Sequence, residues 1–147
     1  MITELISVGT EILLGNIVNT NSAYLSEKCA LLGLSVYYQD VVGDNEGRMR
    51  DVIRTALDRS DVVILTGGLG PTEDDITMLE FARYYEIPVA VVATKTDKLP
   101  STKLKNQLKM IRKELQLNDH EPLFPFSAEK KTGMEAVWEY LIPIFES

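Results

Sequence analysis

The sequence predicts an α/β protein, a three-layer, doubly wound sandwich in which helices cover both faces of a parallel sheet. Short apolar runs typical of buried strands alternate five times with segments of helical periodicity along the 147 residues, and the connections are short. No pair of runs is joined by the tight turn that indicates an antiparallel hairpin. The loops that leave the strands should therefore gather at one edge of the sheet.

Composition places the chain among ordinary globular proteins. Its 45% hydrophobic and 25% charged residues suit one domain with its own core, predicted to span 1–147. The formal net charge of −7 argues against a general binder of nucleic acid or anionic membranes. Because the sequence shows no signal sequence and no apolar run of transmembrane length, we expect a cytoplasmic protein that requires no partner. The oligomeric state stays open.

The single cysteine and the single histidine do not indicate chemistry. Cys29 lies at helical spacing with Leu25 and Leu32, as a buried apolar residue would, and one cysteine excludes an internal disulfide. His120 lies in a polar connection with no cysteine or second histidine nearby, so a surface position is predicted. We predict no metal site.

The first half of the chain supplies three strands and two helices. The strand candidates are 4–8, 34–42 and 61–66. Asn19 or Asn21 is expected to cap the first helix and Gly33 to end it, while Gly43 to Asn45 forms the turn and cap before the second helix. The residues expected to face inward on these helices are Tyr24, Leu25, Cys29 and Leu32, then Met49, Val52, Ile53, Ala56 and Leu57.

The second half supplies three more helices and two strands. The strands are predicted at 87–93 and 123–126, and the helices at about 75–85, from Ser101 or Thr102, and from Thr132. Pro143 should kink or end the last helix. The outward lysines and arginines of the middle helix are expected to form a solvated face rather than an RNA-binding one.

The stretch from Thr66 to Met78 is the strongest candidate for a ligand loop. It packs three glycines, a proline and acidic residues into the exit of a buried strand, just before a helix. Glycines let the backbone approach a ligand, and N–H groups at a helix start hold anions. Glu73, Asp74 and Asp75 are suited to binding a divalent cation or to acid–base chemistry. The alternative interpretation is a glycine turn followed by an aspartate that caps the helix.

Residues 4–77 resemble the start of the CinA and MoaB/MogA molybdopterin-binding fold. The motifs that carry the resemblance are Ile6-Ser7-Val8-Gly9-Thr10-Glu11-Ile12-Leu13-Leu14-Gly15, Asn19-Thr20-Asn21, Val42-Gly43-Asp44-Asn45, and Thr66-Gly67-Gly68-Leu69-Gly70-Pro71-Thr72 with Asp74-Asp75. The resemblance implies that these residues form a phosphate- or pterin-binding site: Thr10, Glu11, Gly67, Gly68, Gly70, Thr72, Asp74 and Asp75. It also implies magnesium, if the site at Asp74 and Asp75 is intact.

Residues 78–147 are similar to the last part of the EngB/YsxC GTPases. The motifs are Met78-Leu79-Glu80-Phe81, Tyr84-Tyr85, Ile87-Pro88-Val89, Thr94-Lys95-Thr96-Asp97-Lys98 and Phe126-Ser127-Ala128-Glu129. The resemblance implies a guanine-binding remnant made by Thr94, Lys95, Asp97, Ser127 and Ala128. The chain has no Gly-Lys-Ser/Thr phosphate loop, so GTP hydrolysis is not expected.

Together the two resemblances suggest an engineered fold chimera with a seam near 74–78. The implied strand order is 2-1-3-4-5, the flavodoxin-like order of a five-stranded parallel sheet. The chimera is expected to have no catalytic residues, no native activity and no cofactor. The alternatives are weak residual binding of GTP, GDP or phosphate, and an enzyme acting on a phosphoanhydride of molybdopterin or ADP-ribose type.

Overall fold

The computed structural model describes residues 1–67, 73–127 and 129–145. The chain divides into two compact units, Met1–Met78 and Leu79–Ser147. Helices and strands alternate through both, which confirms the predicted α/β class with parallel strands. No helix among the described residues is long and apolar enough to cross a membrane.

The first unit is built on a three-stranded parallel sheet in the order β2-β1-β3. Its elements are β1 (Ile2–Val8), α1 (Thr10–Leu13), α2 (Thr20–Leu31), β2 (Ser35–Val42), α3 (Glu46–Arg59), β3 (Val62–Gly67) and the start of α4 (Glu73–Tyr84). The central strand, β1, is buried from Thr3 to Ser7 because it has a neighbour on each side. This places all three strand ends at one edge.

The helix caps of this unit follow the sequence closely. Asn19 caps α2 by accepting a hydrogen bond from the Ser22 N–H, and Asn45 caps α3 by accepting one from the Arg48 N–H. The inward face of α3 is confirmed at Met49 and at the buried residues Ile53 and Ala56.

The predicted inward face of α2 is partly wrong. Tyr24 is 41% exposed and Leu32 is 47% exposed, whereas Cys29 is buried as expected. The face that packs on the sheet contains the buried Ser22 instead. A serine is stable there because its hydroxyl is hydrogen-bonded to Ser7 of β1.

The second unit contains a two-stranded parallel sheet. Its elements after α4 are β4 (Val91–Ala93), a 3₁₀ turn (Thr96–Lys98), α5 (Ser101–Glu114), β5 (Leu123–Pro125) and α6 (Met134–Phe145). Val91 pairs with Leu123 and Ala93 with Pro125. Pro143 lies inside α6, which continues two residues further.

The predicted single sheet of order 2-1-3-4-5 is wrong. The described strands form one sheet of three and one sheet of two. The fourth strand was predicted at 87–93 but spans Val91–Ala93. Pro88 has no N–H to donate to a ladder, so the apolar run that contains it overstates the strand.

Each unit encloses one buried glutamate that is paired with arginine. In the first unit Glu4 accepts hydrogen bonds from Arg59 Nε at 2.9 Å and Nη2 at 2.7 Å. In the second, Glu121 accepts them from Arg83 Nε at 2.7 Å and Nη2 at 2.6 Å. Burial alone would raise the pKa of Glu4, but its hydrogen bonds from Arg59 lower that pKa below the ordinary value.

Candidate functional site

Each of the three parallel strands of the first unit leads into a glycine at the carboxyl edge of the sheet. Gly9 follows β1, Gly43 follows β2 and Gly67 ends β3. Gly67 has a φ of +145°, and a Cβ there would lie 2.2 Å from the Val8 carbonyl oxygen. A Cβ on Gly43 would lie 3.2 Å from Thr10 Oγ1. Glycine at these positions therefore lets the strand exits and the turn that bears Thr10 lie close together.

Thr10 and Asp44 join the turns that follow β1 and β2. The Thr10 hydroxyl donates to Asp44 Oδ2 at 3.2 Å, and the Asp44 N–H donates to Thr10 Oγ1 at 3.3 Å. Thr10, Glu11 and Asp44 are all exposed. The edge thus presents hydroxyl and carboxylate oxygens beside glycine backbone.

A buried polar cluster lies directly behind this edge. The Ser7 hydroxyl, fully buried in β1, accepts a hydrogen bond from Asn19 Nδ2 at 2.9 Å. It is also 3.0 Å from Ser22 Oγ and 3.3 Å from Thr66 Oγ1. We call Ser7, Asn19, Ser22 and Thr66 the hydroxyl cluster. Sequence reasoning missed it, although one polar residue inside the apolar run of β1 was a signal.

The structure places some of the predicted pterin-site residues and not others. Thr10, Glu11 and Gly67 lie at the carboxyl edge. Asp74 and Asp75 lie in the first turn of α4, and the helix dipole favours a carboxylate at Asp75. The remaining residues of the predicted set, Gly68, Gly70 and Thr72, lie outside the described residues.

In the second unit, the structure brings together two of the residues predicted to contact guanine. Ser127 Oγ donates to Asp97 Oδ1 at 2.6 Å, and the Lys130 N–H donates to Ser127 Oγ at 3.1 Å. Ser127 is buried, and the Asp97 side chain is only 7% exposed. The hydrogen bond from Ser127 lowers the pKa of Asp97, so this carboxylate stays ionised.

The other members of the predicted guanine site flank this pair. Thr94 and Lys95 are exposed after β4, and Lys95 has a left-handed backbone with φ of +58°. Ala128 lies outside the described residues. A positive φ at a lysine is uncommon, and in this unit Glu86, Gln116 and Lys131 share it.

Comparison with known proteins gives evidence that is independent of the structure. A family model described as "Probable molybdopterin binding domain" matches residues 4–143. Competence-damage inducible proteins of several Streptococcus pyogenes strains, among them serotypes M5 and M49, are 63% identical over 84 residues. That match covers 57% of this chain, which spans about a fifth of the length of these relatives.

Two solved structures share the fold. A CinA protein from Thermoplasma acidophilum is 24% identical, with a TM-score of 0.56 over 97% of this chain and 96% of its own. Translation elongation factor SelB from Methanococcus maripaludis is 18% identical, with a TM-score of 0.56 over 97% of this chain and 33% of its own. At these identities the likeness concerns the fold alone.

The prediction of an engineered chimera is wrong, whereas the absence of native activity stays a prediction. The family model matches residues 4–143, a span that includes the expected seam near 74–78. Strand exits followed by polar turns recur throughout nucleotide-binding α/β folds, so short motifs of this kind did not establish a second origin for residues 78–147. The chain is a natural protein that belongs to the family of probable molybdopterin binding domains.

Proposed function

We propose that the first unit, Met1–Met78, binds a phosphate-bearing ligand of the molybdopterin type at the carboxyl edge of its sheet. The observation that carries the proposal is the convergence of three glycine exits, Gly9, Gly43 and Gly67, on one edge. The family description supports the ligand class. In the order β2-β1-β3, the second strand lies on one side of β1 and the third strand lies on the other. Ligands of open α/β sheets bind at such a switch point.

Exposed acidic groups at this edge favour binding of the phosphate together with a cation. Glu11 and Asp44 are both exposed there, and their charges repel a bare phosphate. Carboxylate and hydroxyl oxygens are hard donors of the kind that magnesium prefers, and Mg²⁺ commonly binds one or two carboxylates plus substrate phosphates. The described residues contain no cluster of three or more metal-ligating side chains. We propose that Mg²⁺ binds here together with the phosphate of the ligand.

The test is a titration followed by amide NMR. Molybdopterin, ADP-ribose and pyrophosphate are added in turn, each with and without Mg²⁺. We expect the amides of Gly9, Thr10 and Gly67 to shift, more strongly with the cation present. Thr10→Val should weaken binding about tenfold, the effect of one lost hydrogen bond to a charged group.

A matched control comes from α3. Thr55 is an exposed threonine whose hydroxyl donates to the Asp51 carbonyl, so Thr55→Val removes a threonine hydroxyl away from the edge. Its ligand affinity should equal that of the wild type. Shifts confined to surface lysines, or none at all, would refute the proposal. Hydrolysis of ADP-ribose to AMP and ribose 5-phosphate would extend it from binding to catalysis.

A second candidate function is weak recognition of a guanine base by the second unit. The specific observation that favours it is the short hydrogen bond from Ser127 to the largely buried Asp97 carboxylate, beside the left-handed Lys95. An ionised, well-positioned carboxylate accepts hydrogen bonds from the guanine edge and penalises adenine, which leaves it unpaired.

A further inference from the structure

We propose that Ser7 is the positioning residue of the carboxyl-edge site. Its hydroxyl does not touch the ligand but fixes the two segments that form the site, residues 9–19 and the exit of β3. The inference rests on the proposed function of the first unit and adds a residue on which the affinity depends. Its basis is the hydroxyl cluster, in which one atom of β1 is hydrogen-bonded to both α2 and β3.

The cluster holds the Asn19 side chain from both ends. Asn19 Oδ1 accepts from the Ser22 N–H at 3.2 Å, which caps α2, and Asn19 Nδ2 donates to Ser7 Oγ at 2.9 Å. The two hydrogen bonds therefore fix both the orientation and the position of the Asn19 side-chain amide. Asn19 ends the segment that begins at Gly9 and bears Thr10, so this segment is fixed at its far end by Ser7.

The same hydroxyl reaches the exit of β3. Ser7 and Thr66 are partners in the β1–β3 register, and their hydroxyl oxygens are 3.3 Å apart. Thr66 directly precedes Gly67, whose unusual backbone packs against Val8. The strand exit that leads to the glycine-rich loop is thus tied to the same atom as Asn19.

The hydrogen-bonding capacity of Ser7 accounts for the choice of a serine. A hydroxyl has one donor and two acceptor sites, and Asn19, Ser22 and Thr66 supply a matching number of neighbours. Burying a hydroxyl without partners costs free energy, and an apolar residue would fit the rest of β1 better. Thr3 provides the contrast: it is equally buried in β1, and among the described residues its Oγ1 has no partner.

The decisive experiment compares three variants by titration with ADP-ribose and Mg²⁺. Ser7→Ala removes the shared atom. Asn19→Ser keeps an oxygen that caps α2, but its shorter side chain has no amide to donate to Ser7, so it separates positioning from helix capping. We expect both to weaken binding about tenfold, because misplacing a group by a fraction of an ångström removes well-formed contacts. Thr3→Val, which removes an unpaired buried hydroxyl, should leave affinity within about twofold of the wild type.

Loss of an amide is controlled separately. Asn21→Ser makes the same substitution two residues further along, at an exposed position, and should change affinity by less than about threefold. The NMR signature that a purely stabilising role would not produce is a shift of the Asn19 side-chain amide together with the Gly67 N–H in Ser7→Ala. Faster hydrogen exchange at the Ser22 N–H should accompany it.

The outcomes separate the two proposals. If the wild type binds none of the probes, the proposed function fails, and unchanged Asn19 and Gly67 signals in Ser7→Ala would then also refute the positioning geometry. If the wild type binds and both Ser7→Ala and Asn19→Ser keep their affinity, the role of Ser7 is overturned while the function stands. If Thr3→Val loses as much affinity as Ser7→Ala, the effect is general destabilisation and the inference is wrong.

Discussion

At the scale of single residues, Gly67 has the most constrained backbone among the described glycines of the first unit's edge. Its φ of +145° is unfavourable for any L side chain, and a Cβ would lie 2.2 Å from the Val8 carbonyl oxygen and 2.9 Å from Val8 Cβ. Both atoms belong to Val8 of the central strand, which cannot shift without a large cost in free energy. We therefore predict that Gly67→Ala lowers the free energy of unfolding by more than about 2 kcal/mol, measured by urea denaturation.

Gly15→Ala is the matched control for Gly67→Ala. Gly15 also has a positive φ, +72°, but a Cβ there would meet nothing within 4 Å. Its cost should be about 1 kcal/mol, the left-handed backbone penalty alone. Equal costs at the two positions would show that the contact with Val8 is relieved by a small backbone shift.

The second residue-scale prediction concerns the two carboxylates that share Arg59. Glu4 is fully buried and takes two hydrogen bonds from Arg59, whose guanidinium stacks 3.9 Å from the Tyr38 ring centroid. Asp40, 2.9 Å from the same guanidinium, is 41% exposed. Glu4→Gln should cost about 2 kcal/mol, less than a fully buried pair because Arg59 is 34% exposed.

Asp40→Asn should change stability by no more than about 0.5 kcal/mol. The adjacent Glu4 carboxyl group raises the pKa of Asp40, so the Asp40 charge is partly unfavourable and its removal relieves repulsion. Chemical denaturation at neutral pH measures both variants. A larger loss for Asp40→Asn than for Glu4→Gln would contradict the assignment of Glu4 as the principal partner.

At the scale of elements, Glu121 joins α4 to the turn before β5. It is 6% exposed and accepts hydrogen bonds from Arg83 of α4 and from the Asn118 N–H at 3.0 Å. The hydrogen bonds from Arg83 lower the pKa of Glu121 below its ordinary 4.5. A lowered carboxyl pKa stabilises the folded state above that ordinary value, and the stabilisation disappears as pH falls through the folded-state pKa.

The prediction is a pH-dependent difference between the wild type and Glu121→Gln. The chain has one tryptophan, Trp138 of α6, so its fluorescence reports unfolding of the second unit. We expect the variant to be less stable by about 1–3 kcal/mol near pH 7, and the difference to shrink below pH 4.5. Glu114→Gln, which removes an exposed carboxylate of α5, controls for net charge and should show no such convergence.

The elements that could be predicted from sequence are those whose signal is local. The caps Asn19 and Asn45 follow from residue type and position, and the apolar stripe of α3 follows from periodicity. The inward face of α2 could not be predicted, because Ser22 is buried only through a partner in β1. The candidate site divides in the same way: Thr10 and Gly67 were predicted, whereas Ser7 becomes visible only once Asn19 and Thr66 are brought beside it.

At the scale of the whole molecule, the sheet shows the limit of sequence reasoning. The order β2-β1-β3 was predicted, and the structure confirms that part, but the five-stranded continuation was wrong. Which strands pair depends on contacts between residues far apart in the chain, and no local pattern encodes them. The short strand Val91–Ala93 also carries little signal of its own.

The whole-molecule prediction is that the chain has two ligand regions with separate requirements. The carboxyl edge of the first unit and the Asp97–Ser127 pair of the second have no described residue in common. GDP should therefore perturb the Trp138 fluorescence or the amides around Ser127, with a dissociation constant on the order of 1 mM, or roughly −4 kcal/mol. ADP-ribose and pyrophosphate should perturb the amides of Gly9 and Gly67.

Variants test this separation in both directions. The Asp97 side chain is 7% exposed and accepts a hydrogen bond from Ser127, so Asp97→Ala would leave a buried hydroxyl unpaired. Asp97→Asn retains an acceptor for Ser127 and is the better test. It should abolish the preference for GDP over ADP and leave binding at the first unit unchanged. Thr10→Val should weaken binding at the first unit and leave the preference for GDP unchanged. If GDP and ADP perturb the Ser127 amides equally in the wild type, recognition of guanine is refuted, and the carboxyl edge beside Gly67 is left as the ligand region.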